Sequence, residues 1–246
     1  VRANLQHGRI AFGGLDNAIR VHAFLFVGSV ETKAATVVLI PHNDGARAQR
    51  RLERDVIPSL QSYSDWKFEL LVVDNSGGRL NDLARFVESL PWPSRYVWHN
   101  GVNLQYGPAM NVAARLAAHP VLVYLCANHG RMVDPGWVED LVSPFWQNER
   151  VALTGHHYPS GAPSMFGFPS TIGAYHIQGG VLGLRTAVIR RFPYHEGEYA
   201  HGCSDIWQSY RLMQAGFALH DVPSVMSVWR THAPAGRYKY VHDDTD

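Results

Sequence analysis

Two stretches of the chain carry aliphatic and β-branched residues and then stop on polar ones: residues 36–44 (TVVLIPHND) and 69–77 (ELLVVDNSG). Such a run predicts a parallel strand buried on both faces, with its polar residues at the carboxyl end, where open α/β sheets bind ligands. Between the two, Leu52, Val56 and Leu60 recur every four residues, which predicts a helix with one apolar stripe against a sheet. The resulting β-α-β unit crosses over with the right hand. Two polar strand ends in one unit suggest a nucleotide site.

The pattern repeats downstream. Leu80, Leu83, Val87 and Leu90 form a second stripe, and residues 94–99 (SRYVWH) read as a third strand. In residues 100–111 (NGVNLQYGPAMN), Gly107-Pro108 predicts a helix start, since proline suits the first helical turn, and the helix runs to about residue 118. Residues 121–126 (VLVYLC) are a fourth strand leading into Ala127-Asn128-His129-Gly130. Asp134-Pro135 then reads as an N-cap and first helical residue, with Trp137 and Leu141 turned inward. Residues 1–35 fall outside this pattern and read as a strand-rich extension that caps a sheet edge or mediates self-association. Residues 158–173, rich in Gly, Pro and Ser, read as a long loop.

Composition narrows the classes. A chain of 246 residues, 46% hydrophobic and 17% charged, buries a substantial core. Its formal net charge of +1 offers no global attraction to nucleic acid or anionic membrane. Two cysteines, Cys126 and Cys203, make neither a disulfide framework nor a zinc knuckle, so a reducing compartment, the cytoplasm, is expected. No apolar run reaches membrane-spanning length, and residues 21–30 make a poor signal peptide. The chain begins on Val, which leaves open residues ahead of it. There is no P-loop, no dinucleotide-binding Gly-x-Gly-x-x-Gly after the first strand and no Gly-x-Ser-x-Gly nucleophile elbow.

Together, strand-Pro-x-x-Asp (Pro41, Asp44), Val-Asp-Asn-Ser-Gly (Asp74, Asn75), the Asn-rich loop before Gly107-x-x-x-Asn111, and Tyr124-Leu125 with Gly130 resemble the donor half of a family 2 glycosyltransferase. Gln178-Gly179-Gly180-Val181-Leu182-Gly183-Leu184-Arg185 resembles that family's acceptor-side strand, and residues 199–216 its acidic segment before a helix. The resemblance covers roughly residues 36–229. It implies an α/β protein of the GT-A fold, with a mostly parallel central sheet flanked by helices. It also implies a domain over 36–232, split into a donor half (36–130) and an acceptor half (131–232), with a C-terminal tail or lid over 233–246. The implied activity is inverting transfer of a sugar from a nucleoside diphosphate, a UDP-sugar or similar, to a hydroxyl acceptor. The other reading is a nucleotide- or sugar-binding relative without catalysis.

The chain departs from the family where an Asp-x-Asp metal motif is expected, because Cys126, Ala127 and Asn128 stand there, followed by His129. A hard Mg²⁺ or Mn²⁺ ion prefers anionic oxygen. Any divalent cation is therefore expected to bind weakly and only with nucleotide, through Asn128, His129 and His232. The other histidines among the fourteen show no metal-ligand spacing.

Individual positions carry two readings each. Asp74 either accepts hydrogen bonds from a base or ribose or organises an Asx-turn. Pro41, His42, Asp44 and Asn75 wall the base or form a solvated turn. Asn103, Gly107 and Asn111 face the diphosphate at a helix start, or cap it. Asp205 matches the family's catalytic base, with an ordinary N-cap as the other reading, and its helix N-terminus would lower its pKa. Gly179, Gly180, His201 and Trp207 are the expected acceptor-side residues.

Overall fold

The computed structural model describes residues 33–42, 44–61, 67–76, 78–98, 102–126, 136–158, 176–196 and 204–226. The strand-rich extension ahead of residue 33, most of the 158–173 loop and the 233–246 tail lie outside them. All described residues belong to the compact unit Thr32–Asp246.

The first three predicted strands are β1 (Ala34–Ile40), β2 (Lys67–Asp74) and β3 (Ser94–Trp98), and the fourth is β4 (Val121–Cys126). Every residue of β1 is buried, as expected of a strand covered on both faces. β1 pairs in parallel with β2 on one side and β4 on the other, and β3 extends β2 in parallel. Three further strands, β5 (Val151–Tyr158), β6 (His176–Arg185) and β7 (Ala218–Asp221), complete a seven-stranded sheet in the order β3-β2-β1-β4-β6-β5-β7. β6 runs antiparallel to both β4 and β5, while β7 is parallel to β5.

Alternation along the strands divides the core. Val37 and Leu39 of β1 face one layer together with Leu70 and Val72 of β2, and Val38 and Ile40 face the other with Leu71 and Val73. The first layer is closed by α1 (Gly45–Arg51), α3 (Asn81–Glu88) and α5 (Trp137–Gln147), which contribute Ala48, Leu83, Val87, Trp137 and Leu141. The second is closed by α4 (Tyr106–Leu116), α6 (Thr186–Arg191) and α7 (Ser204–Gln214), through Ala109, Met110, Ile189 and Leu212. No helix among the described residues is long and apolar enough to cross a membrane.

The first crossover is not a regular helix. After α1 a π-helical turn spans Leu52–Val56, and α2 (Ile57–Gln61) follows. Pro58 cannot donate to the carbonyl four residues back, and the widened turn, in which the Ile57 N–H bonds Leu52 O, relieves that demand. Leu52 and Val56 still reach the core. The turn also buries an ion pair. Arg51 donates through Nη1 to Asp55 Oδ2, with both side chains at most 2% exposed, and Trp137 Nε1 donates to Asp55 O at 3.3 Å. Burial pulls the Arg51 guanidinium below its ordinary pKa while Asp55 pushes it back up.

At the amino edge of the sheet a buried carboxylate is fully supplied. Glu69 accepts from Thr36 Oγ1 (3.0 Å), Arg95 Nε (2.5 Å) and the Ala118 N–H (3.0 Å). These bonds tie β1, β2, β3 and the end of α4 together.

The Arg51–Asp55 pair yields a stability test. Arg51→Met leaves the buried Asp55 carboxylate with only the part-exposed Arg54, whose Nε lies 3.3 Å from Asp55 Oδ1, and should destabilise by up to about 3–5 kcal/mol, whereas Arg51→Met with Asp55→Leu removes the buried pair and should recover most of the loss. Urea unfolding of the three proteins measures this. A double variant no more stable than Arg51→Met would assign the loss to packing instead.

Candidate functional site

The strand order reverses at β1, with β2 on one side and β4 on the other. That switch point opens a crevice beyond the carboxyl ends of the strands. The register sets what meets there: Ile40 lies beside Cys126, and Leu39 beside Val72, so Pro41-His42, Asp74-Asn75 and Cys126 emerge at one edge.

On the β1–β2 side, four predicted residues come together. Asn75 N–H donates to Pro41 O at 3.0 Å, closing the two strand ends on each other. Asn75 Nδ2 donates to Asn103 Oδ1 (3.1 Å), and Asn75 Oδ1 accepts the Leu104 N–H (2.6 Å). His42 Nδ1 lies 3.3 Å from both Asn75 O and Asn103 Nδ2. His42 and Asn103 are exposed, whereas Asn75 is buried beneath them. The result is a polar floor with an imidazole and an amide facing solvent. Both can hydrogen-bond a base or ribose.

Asp74 is placed differently. It is fully buried, and its oxygens accept the Ser76 N–H (2.9 Å), Ser76 Oγ, the Leu80 N–H (3.1 Å) and the Tyr96 hydroxyl. A carboxylate offers about four lone-pair sites, and two backbone N–H groups and the Tyr96 hydroxyl occupy three of them, while the single Ser76 hydroxyl proton lies between Asp74 Oδ1 and Gly78 O. Asp74 therefore holds the β2–α3 loop, and the pattern Asp-x-Ser is the sequence signal for that Asx-type turn. Burial, followed by the bond to Asp74, raises the Tyr96 phenol well above its usual range. Asp44, also expected to contact the donor, caps α1 by accepting the Arg47 N–H at 2.8 Å. Asn111 is buried and spends both ends of its amide on one segment: Nδ2 donates to Tyr194 O and Glu196 Oε1, and Oδ1 accepts the Tyr194 N–H. It clamps α4 to the chain after α6. Gly107 is buried in the first turn of α4.

The helix start is also shifted. α4 begins at Tyr106, one residue before Gly107, and the preceding Gln105 has φ 64° and ψ 177°. That region of backbone space is nearly restricted to glycine and costs a larger residue on the order of 1–3 kcal/mol. The Asn103 side chain braces it by accepting the Gln105 N–H at 2.8 Å.

On the other side of the crevice, β6 pairs Val181 with Leu125. Continuing that antiparallel register brings Gly180 beside Cys126 and Gly179 one step beyond it, at the same edge. The Gly179 N–H donates to Asp205 Oδ2 at 3.0 Å, and the Ile206 N–H to Asp205 Oδ1 at 2.9 Å. A Cβ on Gly179 would lie 3.3 Å from Asp205 Cβ and Oδ2. A side chain at this position would crowd the carboxylate by a few tenths of an ångström, so glycine lets Asp205 sit close against the strand. Gly179 holds Asp205, a role that its position on the strand alone does not disclose, and Gly180 is buried beside it.

The helix N-terminus predicts a depressed pKa for Asp205, and the structure reverses the sign. Burial raises it, and that outweighs the lowering effects of His176 and of the Gly179 and Ile206 N–H groups. Low dielectric penalises the charged form more than two backbone donors favour it. Trp207, two residues on, is 39% exposed and meets Tyr210 edge to face, with ring centroids 6.2 Å apart.

Tyr106, Tyr124 and Tyr194 gather in a buried cluster that no sequence pattern singles out, and Tyr106 and Tyr194 lie within electrostatic reach of Asp205. Tyr106 lies 5.4 Å from Tyr124 and 5.5 Å from Tyr194 between ring centroids. Only the apolar runs around Tyr106 and Tyr124 hint at burial; nothing local signals Tyr194.

Asn128, His129, His201 and His232 lie outside the described residues. Among the described residues no three His, Cys, Asp or Glu side chains gather as metal ligands. At the end of β4 the donor is the Cys126 thiol, half-buried and not disulfide-bonded. A thiol is a soft ligand, less suited to Mg²⁺ or Mn²⁺ than a carboxylate oxygen.

No protein-family model matches the chain, and no curated protein matches it by sequence. Solved structures do match. The mannosyltransferase PcManGT from Pyrobaculum calidifontis, in complex with GDP-Man and Mn²⁺, aligns with a TM-score of 0.59 at 16% identity, over 78% of this chain and 55% of that one. GalNAc-T7 with UDP, GalNAc and Mn²⁺ aligns with a TM-score of 0.60 at 16% identity, over 80% and 43%. Glucosyl-3-phosphoglycerate synthase from Mycobacterium tuberculosis, bound to Mn²⁺, UDP-glucose and phosphoglyceric acid, gives 0.53 at 19%, over 77% and 70%. The chain spans about half the length of the first two. At these identities the likeness is one of architecture: the chain has the GT-A fold of nucleotide-sugar glycosyltransferases.

Proposed function

We propose that this chain is an inverting glycosyltransferase that moves a sugar from a nucleoside diphosphate, a UDP-sugar or a close relative, to a hydroxyl acceptor. The observation that carries the proposal is Asp205, a carboxylate of raised pKa fixed by Gly179 at the same sheet edge as the His42–Asn75–Asn103 floor. The floor would hold the base and ribose through His42 and Asn103, with Pro41 and Asn75 setting its shape. Asp205 would take the proton from the acceptor hydroxyl as its oxygen attacks the anomeric carbon. The bond from that carbon to the diphosphate breaks, and the nucleoside diphosphate leaves with the electron pair. Trp207 offers the acceptor an apolar face. No step is routed through a metal; a divalent cation would enter with the donor's phosphates. The Cys126 thiol in the metal position favours the second reading, a binding protein without turnover. Calorimetric titration with UDP, UDP-glucose, GDP and GDP-mannose, with and without Mn²⁺, tests the donor site, and release of nucleoside diphosphate in the presence of acceptor sugars separates the two readings.

Removal of the base by Asp205→Asn should lower turnover by roughly a hundredfold to ten-thousandfold with donor affinity little changed. Turnover within a few-fold of the parent would exclude Asp205. Because the group must be ionised to act and its folded pKa is raised, the acid limb of kcat/KM should lie above the ordinary carboxylate value of about 3.9. The same shift contributes stability at low pH that is lost as pH rises through the folded pKa. Asp205→Asn should therefore be at least as stable as the parent near pH 7, measured by thermal unfolding.

Asp74→Asn should act mainly on stability. Replacing an acceptor-only carboxylate, which takes two backbone N–H groups and two hydroxyls, should cost about 1.5–3 kcal/mol. Unchanged urea unfolding alongside weakened nucleotide binding would return Asp74 to the donor site. Dialysis should leave no stoichiometric metal on the protein in the absence of nucleotide; retained metal, read by elemental analysis, would reveal a dedicated site.

A further inference from the structure

The first crossover carries more positive charge than it neutralises. Arg47 and Arg51 stand one turn apart on α1 and share a face of that helix, and Arg54 follows in the π-helical turn. Among the described residues one carboxylate pairs with this group: Asp55 binds Arg51 and lies 3.3 Å from Arg54 Nε. Glu53 accepts from Gln49 instead. Arg51 is buried, and its Nε and Nη2 have no hydrogen-bond partner. Arg47 is half-buried, and only its backbone N–H is engaged, by the capping Asp44; its guanidinium has no ion pair among the described residues. Position links this charge to the crevice. Gly45 opens α1 five residues after β1 ends at Ile40, and helical side chains lean toward the N-terminus, so Arg47 leans toward the carboxyl edge of the sheet. That edge is open: His42, Asp44 and Ala46 are exposed, and Cys126 is half-exposed. The Arg51 pKa is lowered chiefly by burial, then raised by Asp55, lowered by Arg54, raised by Cys126 and lowered by Arg47. Arg47 and the end of β4 thus both lie within electrostatic reach of Arg51.

We propose that the Arg47 guanidinium binds the diphosphate of the nucleotide donor at the mouth of the crevice, with the Arg51 charge buried behind it. This inference rests on the glycosyltransferase reading and deepens it by naming the group that meets the donor's phosphates. A guanidinium presents a planar fork of N–H donors that matches two phosphate oxygens, and it stays charged at any working pH. Like charges one turn apart repel. A diphosphate beside Arg47 relieves that repulsion, so the arrangement favours an anion before any contact is counted. As the bond from the anomeric carbon to the diphosphate breaks, negative charge grows on the departing oxygens, and a fixed guanidinium stabilises it. Positive charge carried by the chain itself suits an edge where Cys126 stands in the place of a carboxylate.

Calorimetry in EDTA with uridine, UDP and inorganic diphosphate, on the parent and on Arg47→Gln, Arg47→Lys and Arg54→Gln, tests this. Arg47→Gln should weaken UDP and inorganic diphosphate by about tenfold to a hundredfold while uridine binds as before. Arg47→Lys, which keeps the charge and loses the fork, should fall between Arg47→Gln and the parent. Arg54→Gln removes the same charge about two turns further along the chain and should bind UDP nearly as the parent does. UDP affinity unchanged in Arg47→Gln overturns the inference. So does an equal loss in Arg54→Gln, which would reduce the effect to the general field of the crossover, and so does a parent that binds neither UDP nor inorganic diphosphate. Thermal unfolding of Arg47→Gln should match the parent; a Tm well below it would show the guanidinium already paired within the protein and also overturn the inference. UDP binding that depends on Arg47, without release of UDP from UDP-sugars in the presence of acceptor sugars, would keep this subsite and overturn the glycosyltransferase reading instead.

Discussion

Covering β1, β2 and β4 on both faces leaves their polar groups nowhere to go but the strand ends. Side chains along these strands alternate between two apolar layers, and a charge placed mid-strand would face hydrocarbon on either side. Polar residues therefore collect at the two edges. The amino edge is used for fastening, with Glu69 binding Thr36, Arg95 and the end of α4. The carboxyl edge is used for display, and the reversal of strand order at β1 turns that edge into a crevice.

Two aspartates at the carboxyl edge show how surroundings divide the labour. Asp74 is surrounded by donors from its own loop and from β3, and it becomes part of the framework. Asp205 receives two backbone donors, yet burial still dominates and raises its pKa. The donors around Asp74 hold it in place, while burial leaves Asp205 readier to take a proton. Residue type alone does not separate the two cases.

The strands and most helices are legible because their signals are local. The apolar runs of β1, β2 and β4 and the four-residue stripes of the first crossover and of α3 each lie within a short window, and the order of these elements implies the parallel sheet. The floor residues His42, Asn75 and Asn103 are legible for the same reason, since each follows directly on a strand or precedes a helix. What cannot be read depends on pairs distant in sequence. Gly179 meets Asp205 across 26 residues, and Asn111 meets Tyr194 across 83, so neither the bracing of the candidate base nor the clamp on α4 leaves a trace in spacing. The π-helical turn has a local cue in Pro58, but the compensation by Ile57 and Leu52 is a property of the folded helix.

Gln105 carries a consequence for the order in which the edge assembles. Its backbone conformation is unfavourable for any residue with a side chain, and it persists only because Asn103, itself held by Asn75, accepts the Gln105 N–H. Asn75 in turn depends on the docking of β2 against β1 through Pro41. The turn into α4 thus has no independent tendency to form, and its geometry is imposed from outside by strands that must already be paired. In a folding chain it would be among the last pieces to lock, and in the folded protein among the first to open.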